Sequence, residues 1–131
     1  MTRSELREHI FNMLFQVEFN SEEELIEQME LYVDGLGEIR EKDKTYIEEK
    51  YQKVIEHLNE IDALLNEETD GWKTTRMNKV DLTILRLAVY EIKWDEDVPA
   101  GVAINEAVEL AKKFSSEEGP AFINGVLAKF A

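Results

Sequence analysis

Two glutamates three residues apart, Glu106 and Glu109, stand beside Asn105 in an apolar, alanine-rich run from Val98 to Phe114. Such a pair on one helix face can be half of a carboxylate-based active site, and a di-iron bundle would add Glu-x-x-His pairs projecting inward. Only His9 and His57 are available, and neither has a glutamate three residues before it. No metal centre or cofactor is therefore expected. Cysteine is absent, which removes disulfides, thiolate metal sites and thiol nucleophiles. Gly35-Leu36-Gly37 is too short for a phosphate cradle and follows a helical pattern rather than a strand. No nucleophile elbow is found either. These residues point away from catalysis. Helical spacing turns Glu106 and Glu109 away from Ala107 and Phe114, towards solvent. Asn105, next to Ile104, reads as a structural amide bonding to a neighbouring helix or loop backbone in preference to a ligand contact, and Asn124 in FINGV reads the same way.

The elements that carry these residues are all helical. Leu6, Ile10, Met13, Leu14 and Val17 recur at helical spacing, and Thr2 with Glu5 fits a capping box, so a first helix is predicted over Ser4–Phe19. Ser21 and Glu24 repeat the signature before Leu25, Ile26, Met29 and Val33, until Gly35 and Gly37 stop the second helix. Ile47, Tyr51, Val54, Leu58, Ile61 and Leu65 follow a strict 3-4 stripe, which predicts one bundle helix rather than a coiled coil because the run is short. The segment NKVDLTILRLAVYEIKW is apolar nearly all round and must be central. Pro99 opens a helix with Ile104, Ala107, Val108, Ala111 and Phe114 inward, and another begins near Pro120. The expectation is one all-α domain, residues 1–131, of six or seven helices. No run of about 20 apolar residues exists, so no membrane partner and a cytoplasmic setting are expected.

The formal net charge of −14 opposes nucleic acid at first sight. Its distribution does not. Glu18 to Asp70 holds 5 basic and 18 acidic residues, a balance of −13, leaving the two ends of the chain close to neutral. A polyanion can meet those ends where the fold joins them. Trp72, Lys73, Arg76 and Lys79 form the densest basic cluster, read either as an RNA contact or as a linker shielding the acidic segment.

VDLTILRLAVYEI, DVPAGVAINEAVELAKKF and AFINGVLAKF closely resemble the C-terminal half of the NusB family of bacterial transcription antitermination factors, over Val80 to Phe130. The first helix, with Arg3, Arg7, Glu8 and Leu14-Phe15, resembles the family's first helix. The resemblance implies two perpendicular helical subdomains that bind boxA RNA with the ribosomal protein NusE and join the RNA polymerase antitermination complex, without catalysis. For RNA it designates Arg3, Ser4 and Arg7, where the family usually has a richer arginine stretch, and the loop residues Ser116, Glu118 and Phe122. Arg3 and Arg7, four apart, share a face, to be read either as a phosphate clamp or as a solvated face of ion pairs. Phe122 either stacks on a base or packs in the core. Lys112 and Lys113 end a helix and can reach phosphates. For the protein partner the resemblance designates Phe15, Asp81 and Arg86; Arg86 either meets the partner or pairs internally with Glu91 or Asp81. A homodimer and a helical protein-binding module without specific RNA recognition stay open as alternatives.

Overall fold

The computed structural model describes residues 1–69 and 73–131, which form seven α-helices and two short 3-10 turns. They fall into two compact units, Met1–Ile55 and Glu56–Ala131.

The first unit contains α1 (Arg3–Phe15), α2 (Glu22–Gly35) and nearly all of α3 (Glu41–Glu56). The capping box forms as predicted: the Glu5 N–H donates to Thr2 Oγ1 at 3.1 Å, and the Thr2 N–H donates to Glu5 Oε1 at 3.0 Å. Those bonds hold the Glu5 carboxyl below its ordinary pKa, the Thr2 backbone donor being the main cause. α1 does not run to Phe19. It ends at Phe15 and tightens into a 3-10 turn at Gln16–Glu18, a frequent way for a helix to close. Ser21 is the N-cap of α2, but its hydroxyl donates to Glu24 Oε1 at 3.0 Å instead of accepting a backbone N–H, so the reciprocal box seen at α1 is not reproduced here. Leu25, Met29 and Val33 are buried, whereas Ile26, expected among them, is 59% exposed. Gly37, at φ 76°, turns the chain beyond α2 in a conformation that favours glycine. Ile47, Tyr51 and Val54 give α3 its buried stripe.

The second unit contains α4 (Leu58–Glu68), a 3-10 turn at Thr74–Arg76, α5 (Lys79–Trp94), α6 (Ala100–Phe114) and α7 (Gly119–Ala128). The 3-4 stripe therefore serves two helices, broken at His57. One residue off helical geometry shifts the phase of the stripe too little for the pattern to reveal the break. The His57 ring lies against Trp94 and Tyr90, at 4.5 and 5.6 Å between centroids. α5 is buried without interruption from Asp81 to Glu91, and it packs with α4, α6 and α7. Each fully enclosed side chain there, such as Ile84 or Leu85, contributes roughly 1.5–3 kcal/mol of transfer free energy. α6 buries Leu110 together with Ala103, Ala107 and Ala111, small groups that let neighbouring helices approach closely. Its face is thus rotated from the predicted one: Ile104, Val108 and Phe114 are only half-buried. The rotation exposes Asn105, and Asn124 on α7 is exposed as well, so neither is the buried structural amide that the sequence suggested. No helix among the described residues is long and apolar enough to cross a membrane.

Candidate nucleic-acid interface

In the first unit the start of α1 carries Arg3 and Ser4, both exposed. The Arg3 guanidinium lies over the Tyr46 ring, 4.2 Å from its centroid, and the Tyr46 hydroxyl accepts from Lys50 Nζ at 2.7 Å. A cleft of about 180 Å³ opens beside them, lined also by Met1, Leu6, Arg40, Lys42 and Asp43. Arg7 is elsewhere. It is only 4% exposed, because Leu6, Ile10 and Phe11 on the same side of α1 are buried and the helix carries Arg7 inward with them. The expected Arg3–Arg7 face is therefore not presented to solvent, and of the two arginines only Arg3 is exposed. Arg40, Lys42 and Tyr46 went unnoticed in sequence, although the five cations of the acidic segment all lie between Arg40 and Lys53.

Phe15 is half-buried, as its position beside the main stripe predicts. It continues a run of rings, 6.4 Å from Phe11 and 5.5 Å from Phe19, and Phe19 is 61% exposed.

In the second unit the N-terminus of α5 is tied to the loop before α7. Asn78 caps α5, accepting from the Asp81 N–H at 2.8 Å, and its Nδ2 donates to Asp81 Oδ2 at 2.8 Å. The Ser115 hydroxyl donates to Asp81 Oδ1 at 2.6 Å. Asp81 is thus a buried hub between α5 and the end of α6, with its carboxylate already engaged. Gly119 is required by this arrangement, since a Cβ there would collide with the Ser115 side chain. Around the hub a cleft of about 190 Å³ is lined by Met77, Ser116, Glu118 and Phe122 among others. Ser116 and Glu118 are exposed and Phe122 is half-buried, so part of its ring faces the cleft. Lys112 and Lys113 are exposed at the end of α6; Lys112 bonds Glu109 at 3.1 Å and Lys113 lies over Phe114 at 5.5 Å.

Arg86 makes an internal pair, with an acid that the sequence did not suggest. Its Nε and Nη2 donate to the two carboxylate oxygens of Asp62 on α4, at 2.9 and 2.7 Å. Asp62 lies 24 residues away, beyond what helical spacing can indicate. Of the basic cluster, Trp72 lies outside the described residues. Lys73 donates to the Asn66 carbonyl at 3.1 Å, Arg76 is exposed and Lys79 is half-buried. Among the described residues no group of three or more His, Asp or Glu is arranged to hold a metal ion.

The whole chain superposes on the solved structure of T. maritima NusB with a TM-score of 0.91 at 34% identity, covering 100% of this chain and 91% of that one. A NusB chain solved with NusE and dsRNA shares the fold at a TM-score of 0.86 and 23% identity, covering 99% and 97%. The fold class is thus that of the all-helical NusB structures. The transcription antitermination protein NusB of Agathobacter rectalis is 59% identical over 131 residues, all of both chains, and the sequence profile of the NusB family matches residues 4–131. The chain belongs to the NusB family.

Proposed function

We propose that this protein is a transcription antitermination factor that holds a boxA-type single-stranded RNA together with NusE and supports processive transcription of ribosomal RNA in the cytoplasm. The observation that carries the proposal is the family match from residue 4 to the last residue, with 59% identity to an antitermination protein along its whole length. Unpaired bases suit sequence-specific reading, because their edges and faces are open to side chains. In the first unit the RNA-facing residues are Arg3 and Ser4. In the second they are Lys112, Lys113, Ser116, Glu118 and Phe122, the last lining its cleft with part of its ring. Phe15, beside the exposed Phe19, supplies the aromatic anchor for the protein partner. Asp81 and Arg86 act on the partner surface through position, holding α5 against the loop before α7 and against α4. Binding and positioning, not catalysis, are the chemistry of these residues.

The test is a fluorescence anisotropy titration of a labelled boxA-like RNA and a scrambled control, with NusE present. The boxA-like RNA binds more tightly, and Phe122→Ala weakens it by roughly 1–3 kcal/mol, the worth of one stacked base. Equal binding of both RNAs, unchanged by Phe122→Ala and Arg3→Ala, refutes the proposal.

A further inference from the structure

Every cation of the acidic segment lies between Arg40 and Lys53, and the first unit gathers two of them with Arg3 around one small cleft. We infer that this cleft is a phosphate subsite for the RNA backbone, formed by Arg40, Lys42 and Arg3; the inference rests on the RNA-binding reading above.

Three features of the cleft carry it. First, Arg3, Arg40 and Lys42 are all exposed, whereas the carboxylate lining the cleft, Asp43, is only 7% exposed. Asp43 also accepts from the Met1 amino group at 3.1 Å. Three accessible positive charges therefore meet one withdrawn and compensated negative charge. Second, the arginine has a fixed platform. Tyr46 carries the Arg3 guanidinium on its ring, and its hydroxyl is held by Lys50, itself only 5% exposed and 4.8 Å from the ring centroid. A stacked guanidinium keeps its N–H edges in the plane of the fork, where a phosphate can accept two of them. Less side-chain freedom is then lost when the anion arrives. Third, the surroundings select for backbone rather than base contact. The cleft of about 180 Å³ has room for a phosphodiester group, and the ring best suited to stacking is already covered by Arg3.

The exposed carboxylates flanking Arg40 in sequence, Glu38 and Glu41, and Glu5 on α1 set the ceiling on the attraction. Glu5 is engaged in the capping box. In a protein of net charge −14, a local cationic cleft is where a polyanion can approach, and the contact it makes positions the strand without reading its sequence.

The experiment uses the full chain and its Arg40→Ala/Lys42→Ala double variant, with circular dichroism melting to confirm that these two surface changes leave the fold intact. A labelled RNA carrying a boxA-like element with flanking nucleotides, and a scrambled RNA of equal length, are titrated at several salt concentrations with NusE present. The double variant is expected to bind both RNAs roughly three- to tenfold more weakly, with the specificity ratio unchanged and the log–log salt slope smaller by about 0.7, the worth of one phosphate contact to a single strand. Unchanged affinity and slope in the variant, while the parent still prefers the boxA-like RNA, overturn the subsite and leave the RNA-binding reading intact. A parent that binds neither RNA overturns both. Loss of the specificity ratio in the variant overturns the backbone assignment, and so does competition by poly-glutamate as effective as that by poly-uridine at equal ionic strength.

Discussion

Replacing Asp62 by alanine removes both bonds that its carboxylate accepts from Arg86, a residue 7% exposed on the most deeply buried helix of the chain. The size of the effect follows from where the pair sits. Breaking a fully buried pair costs about 3–5 kcal/mol, because a charge is left without its counterion in a poorly polarisable place. An exposed pair is worth only about 0.2–1 kcal/mol. Here the arginine side chain is 9% exposed and the aspartate 25%, so water reaches the carboxylate more easily than the guanidinium. A loss of about 2–3 kcal/mol is expected, between the two limits. For a chain of 131 residues that is a fall in melting temperature of roughly 10 °C. Urea unfolding followed by circular dichroism measures it, with the slope m held in common so that a shift in midpoint reports stability alone.

The companion variant Asp62→Ala/Arg86→Met decides the cause. Removing both members of the bidentate pair takes away the guanidinium that Asp62→Ala strips of two bonds, so the double variant should recover at least about 1 kcal/mol over Asp62→Ala. If Asp62→Ala lies within about 0.5 kcal/mol of the parent, or the two substitutions simply add, the pair does not brace α4 against α5. A loss of NusE affinity with stability unchanged would instead return Arg86 to the partner surface.

Burial raises the Tyr51 pKa to about 12, which favours the neutral phenol in the folded state. The stability this brings is complete below the unfolded value of about 10 and is lost as pH rises from there towards 12; urea midpoints at pH 9, 10 and 11 should fall, and Tyr51→Phe should flatten the decline that the parent shows. Gly119→Ala pushes a methyl group against Ser115 and breaks its bond to Asp81, for an expected loss of about 1–3 kcal/mol. Ser115→Ala, which removes the hydroxyl without crowding, should cost about 1 kcal/mol, and equal melting temperatures for the two alanine variants would show that crowding at Gly119 plays no part.

Helix identity was legible because amphipathic spacing survives whatever the helix packs against. Thr2 and Glu5 announced the start of α1, and the unbroken apolar character of Leu82 to Val89 announced the central helix. What failed were features that depend on partners distant in sequence. The stripe from Ile47 to Leu65 keeps its phase across His57, so two helices read as one. The rotation of α6, which exposes Asn105 and half-exposes Phe114, follows from how closely Ala103, Ala107 and Ala111 let neighbours approach, and alanine carries almost no directional signal of its own. Charge shows the same limit more sharply. Arg3 and Arg7 are equivalent in spacing and chemistry, yet the buried positions of Leu6, Ile10 and Phe11 carry one inward and leave the other over Tyr46. Arg40 and Lys42 sit in the most acidic stretch of the chain, where a count over the segment cancels them. Only folding withdraws one of the neighbouring carboxylates, Asp43, and brings Arg3 alongside. For an acidic protein proposed to meet an anionic partner, the deciding quantity is therefore the potential within a few ångströms of a few fixed cations. The Debye length of about 8 Å at physiological salt makes the distant remainder of the −14 a weak opponent.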